Sequence, residues 1–181
     1  MRLLRAADRV PVPWKNGGGV TREVAAFPEG AGFDDFLWRV SMAEVRADGP
    51  FSVFPGVDRV LAVLEGRLRL EVEGLPPVEL SPESPPAVFP GDAPTHGAVL
   101  DGPVLDLNVM TRRGRAHADV RRLEAGSVAT GGGLLVATEP ARAAGVPLAR
   151  YDVLVLEPAD KPPVLDSGRA WLVSLGPEQI S

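Results

Sequence analysis

Residues 58–74 carry the pattern that most restricts how this chain can fold. Residues 68–72 alternate between apolar and charged side chains, which is typical of a strand with one buried face and one face in water. The preceding run VLAVL (60–64) is apolar on both faces and suits a fully buried strand. Between them, Glu65-Gly66 predicts a tight hairpin turn. The pattern therefore predicts short strands joined by turns rather than helices.

Proline and glycine extend this prediction to the whole chain, because 19 prolines and 20 glycines in 181 residues leave little room for long helices. Repeated short strands between turns favour an all-β jelly roll, sandwich or barrel. Further strands are predicted at 19–27, 36–45, 51–54, 87–90, 96–100, 103–110, 126–130, 133–139, 150–158 and 169–177. Residues 114–126 are predicted to be an irregular connector or a short helix. That connector predicts two units, residues 1–115 and residues 116–181.

Composition excludes several classes of function. The chain has no cysteine, so it offers no thiolate nucleophile, no disulfide and no cysteine ligand for zinc. A net charge of -5 argues against binding to nucleic acid, whose partners usually present a basic surface. No apolar run approaches membrane length, and the N-terminus lacks a signal-peptide pattern. We therefore expect neither a nucleic-acid nor a membrane partner, and a cytoplasmic location.

Two predicted strands each place polar residues on one face. Alternation puts Arg39 and Ser41 together on the strand at 36–45, and it puts Asp106 and Asn108 together on the strand that follows residue 103. On an antiparallel sheet such a face usually contacts water. In a closed barrel the same face would line the lumen, where buried polar groups need partners or a polar ligand. Both interpretations are consistent with the sequence.

The stretch PWKNGGGVTRE (13–23) places three consecutive glycines after a lysine and an asparagine. Glycine permits positive φ and close backbone approach, so the stretch is either a loose loop or a tight binding turn. As a binding turn, it would bring Lys15, Asn16 and Arg22 to the mouth of a barrel. Cationic side chains there would suit a small carboxylate.

Catalytic and metal sites have weaker support. The two histidines, His96 and His117, lack the close spacing that would place both on one metal, and we predict no metal and no cofactor. The chain has no G-x-S-x-G motif for a serine nucleophile. A catalytic pair of carboxylates drawn from Glu23, Asp58 and Asp106 stays an open alternative, because the sequence does not set the distance between these side chains.

Four stretches together resemble the HutD/Ves family, which is named for a protein encoded with histidine-utilisation genes and for a stress-associated relative. The resemblance covers residues 9–115 and rests on PWKNGGGVTRE, LWRVSMAEVRADGPFSVFPGVDRVLAVLEG, VFPGDAP and GPVLDLNVMTRRG. It implies a cupin-like double-stranded β-helix, a jelly-roll barrel, with two cupin-like halves in one chain, that is, a bicupin. The stretch before Gly66 lacks the H-x-H pair of metal-dependent cupins.

For function, the resemblance implies control rather than catalysis. Family members are thought to bind an intermediate of histidine breakdown, such as urocanate or a formylated glutamate derivative, and to restrain expression of the pathway. The pocket residues that it implies are Lys15, Asn16, Arg22, Arg39, Ser41, Asp106, Asn108 and Arg112.

Two alternative functions stay open. One is a metal-independent isomerase, epimerase or hydrolase that uses Lys15 or His96 as acid or base. The other is a stress-associated interaction protein without a ligand. Pairing of exposed edge strands further predicts a homodimer.

Overall fold

The computed structural model describes residues 1–177, and over that range the fold is almost entirely β. One short 3₁₀ helix, Ala6–Asp8, is the exception within the described chain. The all-β prediction is confirmed, and recurrent proline and glycine are the physical reason that longer helices do not form. No helix within residues 1–177 combines the length and the apolar character needed to cross a membrane.

The chain forms two compact units. The first is Val10–Ala116, and the second combines Met1–Arg9 with the chain from His117 onward. The N-terminal nine residues, which we expected in the first unit, thus lie with the second. They do so because their strand pairs in register with Val153–Val155. That each unit is a cupin-like half stays a prediction.

Ten strands of the first unit form two sheets. Numbered along the whole chain, these strands are β2 (Pro11–Pro13), β3 (Gly19–Phe27), β4 (Trp38–Val45), β5 (Gly49–Pro50), β6 (Val57–Glu65), β7 (Leu68–Val72), β8 (Val78–Leu80), β9 (Ala87–Pro90), β10 (Thr95–Val99) and β11 (Val104–Arg112). One sheet has the order β2-β3-β4-β11-β6-β9, and the other has the order β5-β10-β7-β8. Every neighbouring pair of strands with a described register is antiparallel.

The two sheets of the first unit share one apolar cluster. Residues 68, 70 and 72 of β7 are buried, while Arg69 and Glu71 between them are exposed, as the alternation predicted. The members of this interior cluster are Val45, Leu61, Val63, Leu68, Leu70, Val72, Leu80, Phe89 and Val104. Because the cluster draws on both sheets, it defines an interior face for each of them, and burial of such side chains stabilises the unit.

The predicted hairpin at Glu65-Gly66 is wrong. The turn exists, but β6 pairs with β9 and β11 whereas β7 pairs with β8 and β10, so the chain passes from one sheet to the other there. Gly66 has φ +78°, and a Cβ on it would lie 2.7 Å from the carbonyl oxygen of Pro103. Local alternation shows a strand but not its partner, and here both strands bury apolar faces in the same interior.

Three other local predictions also fail. Residues 51–54 form no strand, residues 126–130 contribute an isolated bridge at Val128, and the expected connector at 114–126 contains a strand. Arginine and aspartate in that last segment suggested an irregular structure, but they fall at exposed or half-buried positions of an edge strand. Tertiary pairing therefore overrides local propensity in this segment.

The second unit has its own sheets and its own core. Its strands are β1 (Arg2–Leu4), β12 (Ala116–Leu123), β13 (Gly133–Ala137), β14 (Ala141–Ala143), β15 (Val146–Leu148), β16 (Val153–Leu156), β17 (Leu165–Ser167) and β18 (Ala170–Pro177). They form sheets of order β1-β16-β13-β18-β12 and β15-β14-β17. One buried cluster of this unit consists of leucine and alanine side chains, and Val136, Val153, Trp171 and Val173 are buried as well. This unit also buries a carboxyl group, Asp152, which accepts hydrogen bonds from the Arg5 side chain and from the Ala6 and Ala149 backbone N–H groups.

The Lys-Asn-Gly-Gly-Gly stretch is a tight turn, not a loose loop. The Trp14 N–H donates to the Gly19 carbonyl (2.9 Å), and the Gly17 N–H donates to the Trp14 carbonyl (3.0 Å). The Asn16 side-chain oxygen accepts from the Gly18 N–H at 3.0 Å. Gly17 has φ +73°, which favours glycine. The turn connects β2 to β3 with a defined geometry.

Replacing Gly19 with alanine is expected to destabilise the protein by about 2 kcal/mol, because overpacking of a close contact forces the backbone apart. A Cβ at Gly19 would lie 2.4 Å from the Glu44 carbonyl oxygen and 3.0 Å from the Trp14 ring. Urea unfolding measures the effect. The matched control is Gly18→Ala, whose Cβ would meet only the Asn16 side chain, at 3.3 Å or more. Equal stability of the two variants would contradict the packing role.

Candidate functional site

Three adjacent strands of the first unit carry polar side chains on the interior face. β11 lies between β4 and β6, with Asn108 opposite Ser41, and with Met110 opposite both Arg39 and Arg59. Residues two positions apart share a face, so these side chains lie on the same side of the sheet as the interior cluster. The sheet thus carries a polar group within an otherwise apolar interior.

Arg59 is the most enclosed cation of this face, with only 5% of its surface exposed. Its Nε and Nη2 atoms donate to the Asn108 Oδ1 at 3.2 and 3.0 Å. The rings of Phe51, Phe54 and Phe89 surround the guanidinium at 5.2, 5.7 and 5.2 Å. Burial lowers the pKa of Arg59 to about 10, against an opposing effect of the Asp106 charge, so the side chain stays cationic at neutral pH.

Asp106 lies two residues from Asn108 on the same strand and is 2% exposed. Its Oδ1 has no hydrogen-bond partner among the described residues, which is unusual for a buried carboxyl oxygen. Burial raises the pKa of Asp106 to about 7, although the positive charge of Arg59 and the Ala43 backbone N–H act in the opposite direction. The carboxyl therefore holds its proton to a much higher pH than an ordinary aspartate does.

Arg39 forms a second cationic centre that is already neutralised. Its Nη2 lies 2.8 Å from the Glu23 Oε2, and its guanidinium sits 4.3 Å from the centre of the Phe33 ring. Phe33 in turn stacks on Phe54 at 5.5 Å between ring centres. The aromatic residues therefore cover Arg39 as well as Arg59.

The structure brings together four of the eight residues predicted for the pocket: Arg39, Ser41, Asp106 and Asn108. Of these, Ser41, Asp106 and Asn108 are buried, so the usual expectation that such a face contacts water is wrong here. The reason is that the second sheet of the unit covers this face, which a single strand pattern does not reveal. Whether these residues bind a ligand stays a prediction.

The side chain of Arg112 forms hydrogen bonds to backbone carbonyl groups. Its guanidinium donates to the carbonyl oxygens of Phe33, Asp34, Phe36 and Pro55 at 2.7–3.4 Å. These bonds tie the loops before β4 and before β6 to the end of β11. The geometry therefore gives Arg112 a role in holding the aromatic loops in place.

Lys15 and Asn16 lie away from the polar group. Both are exposed on the turn before Gly19, which pairs with Val45 at one end of β4, whereas Arg39 lies near the other end of that strand. Six residues of a strand span about 20 Å. The turn therefore does not close an opening above Arg39.

Arg22 is on the other face of its sheet. It pairs in register with Met42, one position from Ser41, and its side chain lies 4.0 Å from that of Glu44. Because strand side chains alternate, Arg22 points away from the interior face that Ser41 shares.

The alternative catalytic residues do not converge. His96 is exposed on β10, next to the buried Thr95, and Asp58 is bound by the exposed Arg113 at 2.8 Å. Glu23 forms an ion pair with Arg39, so Asp106 is the remaining buried carboxyl group on the interior face of the first unit. Among residues 1–177, no three histidine or acidic side chains come together in a way that would hold a metal ion.

Arg59 and its aromatic surroundings were not predicted from the sequence. The available signal was the position of Arg59 next to a run that is apolar on both faces, although an arginine there is ordinarily solvated. Phe51 and Phe54 were missed because their segment was interpreted as a strand rather than as a loop at the end of the sheet.

Comparison with known proteins identifies the relatives of this chain. The HutD family model matches residues 6–172. The chain belongs to the HutD family. It is 41% identical to Protein Ves of Citrobacter koseri over 110 residues, which cover 60% of this chain and 56% of that protein. It is 40% identical to a 21.2 kDa protein in the hutC 3′ region of Pseudomonas putida over 111 residues, or 61% and 57% of the two chains. The chain thus aligns with a little over half the length of these HutD relatives.

A solved structure extends the similarity over nearly the full length. HutD from Pseudomonas fluorescens SBW25, solved in a formate condition, superposes with a TM-score of 0.86 and 30% identity, covering 98% of this chain and 99% of that one. The resemblance to the HutD/Ves family and the cupin-like β fold that it implied are therefore confirmed. The division into two cupin-like halves stays a prediction.

Proposed function

We propose that this HutD-family protein binds a small anionic metabolite in the interior of its first unit and serves as a regulatory or accessory factor of histidine utilisation in the cytoplasm. The observation that carries the proposal is Arg59, a buried guanidinium that donates to a single neutral oxygen of Asn108. A buried cation of this kind is costly unless an opposite charge pairs with it.

The surroundings of Arg59 suit a small carboxylate. Guanidinium groups bind carboxylates through paired N–H donors, and such charge-assisted bonds are stronger than neutral ones. The Nη1 group makes no hydrogen bond to the described protein, so donors are left for a ligand. The rings of Phe51, Phe54 and Phe89 exclude water around the cation, which strengthens its attraction for an anion.

The link to histidine utilisation comes from the relatives. One relative is named for the hutC 3′ region in which it lies, and another is named HutD. We therefore propose urocanate or a formylated glutamate derivative as the ligand, since both carry carboxylates. Lys15 and His96 lie outside the polar group, so the geometry does not favour the enzymatic alternative.

Calorimetric titration of the full chain with urocanate, formiminoglutamate and N-formylglutamate tests the proposal. We expect saturable heat with one of them, and a Kd that rises about tenfold to a hundredfold in Arg59→Gln, the loss expected for a charge-assisted hydrogen bond. Arg69→Gln is the matched control, because Arg69 is exposed and pairs with Glu71 on the outer face. It should leave the Kd unchanged.

Ligand-dependent thermal stabilisation of the unmodified protein provides a second readout that needs no variant. A ligand that binds the native state raises the midpoint of unfolding with its concentration. No heat and no stabilisation with any of the three compounds would reject the proposal and favour an interaction protein without a ligand.

A further inference from the structure

The interior face of the first unit contains a carboxyl group, that of Asp106, which forms no ion pair. Three cations and two carboxyls share this face; Arg112 is bound by backbone carbonyls, and one pair, Arg39 with Glu23, is joined at 2.8 Å. The other two, Arg59 and Asp106, form no ion pair, since Arg59 donates to Asn108 instead. Asp106 is thus a buried acid whose charge is balanced only through space, by Arg59.

Nothing else on the covering elements would balance that charge. The interior positions of β7 and β10 are apolar or uncharged, and their charged or titratable residues point outward. The β4 residue opposite Asp106 is Ala43, the neighbouring interior residue Ser41 carries no charge, and Arg112 is occupied by backbone carbonyls. The charged and titratable groups on the interior faces of β3, β4, β6 and β11 are Glu23, Arg39, Arg59, Asp106 and Arg112.

An anion at Arg59 would change this balance. It would neutralise the cation whose field favours the ionised form of Asp106, and it would place a second negative charge close by. An ionised carboxylate without a compensating charge is strongly disfavoured in a protein interior. The carboxyl would then take a proton from solvent, because its Oδ1 lacks a hydrogen-bond partner in the described protein and the Ala43 backbone N–H is left as the donor that favours the ionised form.

We propose that anion binding by this protein is proton-coupled: one anion binds at Arg59, and one proton binds at the Asp106 carboxylate. This inference rests on the proposed function. It makes Asp106 a residue that sets the pH range of binding rather than one that contacts the ligand. The interior then gains no net charge on binding, because the proton cancels the charge that the anion brings.

Proton coupling predicts a definite pH dependence. The pKa of Asp106 in the free protein is about 7, so the proton is already present at pH 6 and mostly absent at pH 8. The Kd for an anion that stays ionised should therefore rise about tenfold from pH 6 to pH 8. Binding should take up about 0.9 proton at pH 8 and about 0.1 proton at pH 6.

Titration calorimetry with sodium formate at matched ionic strength tests the inference, since formate is the smallest carboxylate and stays ionised over this range. Repeating it at pH 8 in triethanolamine and in Tris, two amine buffers whose ionisation enthalpies differ, counts the protons taken up. We expect nearly one proton in the wild type and in Asp119→Asn, an exposed control, and none in Asp106→Asn.

The outcomes separate the two proposals. Formate binding without proton uptake at pH 8 would overturn the coupling and leave the proposed function intact, and absence of formate binding at both pH values would also overturn it. The proposed function is judged by its own panel of ligands. If Asp106→Asn does not fold, the wild-type proton count and the ¹³C carboxyl chemical shift of Asp106 with and without formate decide the question.

Discussion

Between pH 4 and pH 8 the unfolding free energy of the wild-type protein is expected to fall by about 4 kcal/mol because of Asp106. Replacing Asp106 with asparagine should abolish this fall. The reason is that burial raises the pKa of this carboxyl from 3.8 to about 7. Between those values the folded protein keeps a proton that the unfolded chain has released. The stability contributed by Asp106 is therefore fully present below pH 4 and is lost as the pH rises through about 7.

Urea unfolding of wild type and Asp106→Asn at unit steps of pH measures this effect. The difference between the two unfolding free energies is the informative quantity, because other titrating groups contribute equally to both proteins. Asp119→Asn, at an exposed position of β12, should follow the wild type at every pH. If the unfolding free energies of wild type and Asp106→Asn changed with pH in the same way, Asp106 would have an ordinary pKa.

Replacing Arg59 with leucine is expected to destabilise the protein by about 2–3 kcal/mol at pH 5 and by about 2 kcal/mol more at pH 9. The first part reflects the Asn108 oxygen, which loses both of its donors inside the protein. The second part reflects Asp106, which is protonated at pH 5 but must either carry an unbalanced charge or hold its proton at pH 9.

A double-mutant cycle isolates the electrostatic part of that effect. In Arg59→Leu combined with Asp106→Asn, the additional loss at pH 9 should disappear, while the loss at pH 5 should persist. The surface control is Arg69→Leu, whose partner Glu71 is exposed, and its effect should stay within about 0.5 kcal/mol. An Arg59→Leu effect that is equal at both pH values would show that the two side chains do not interact.

Much of the first unit could be predicted from sequence because strand alternation is a local property. The buried and exposed positions of residues 68–72 follow it, and so do the paired faces of β4 and β11 that hold Ser41 and Asn108. The turn at 15–19 was foreseen as one of two alternatives, and the structure shows the tight one. The family resemblance added the cupin-like fold.

The candidate site was only partly predictable, because burial depends on what covers a face. The motif at residues 13–23 was the reason for predicting Lys15, Asn16 and Arg22 as pocket residues. The turn that carries Lys15 and Asn16, however, lies at the opposite end of β4 from Arg39, and Arg22 points away from the interior. Arg59 was not predicted, because an arginine at the start of a strand is ordinarily solvated.

The sequence by itself determined long strands such as β3, β4, β6, β7 and β11, their alternating faces and the all-β class, since each depends on neighbours within a few residues. Only the tertiary structure decided that β6 and β7 enter different sheets, and that Arg59 and Asp106 share one buried face although 47 positions separate them. Such proximity arises when β11 pairs with β6, and closure of the second sheet over them then removes water. Desolvation by that closure is what raises the pKa of Asp106, and no local pattern encodes it.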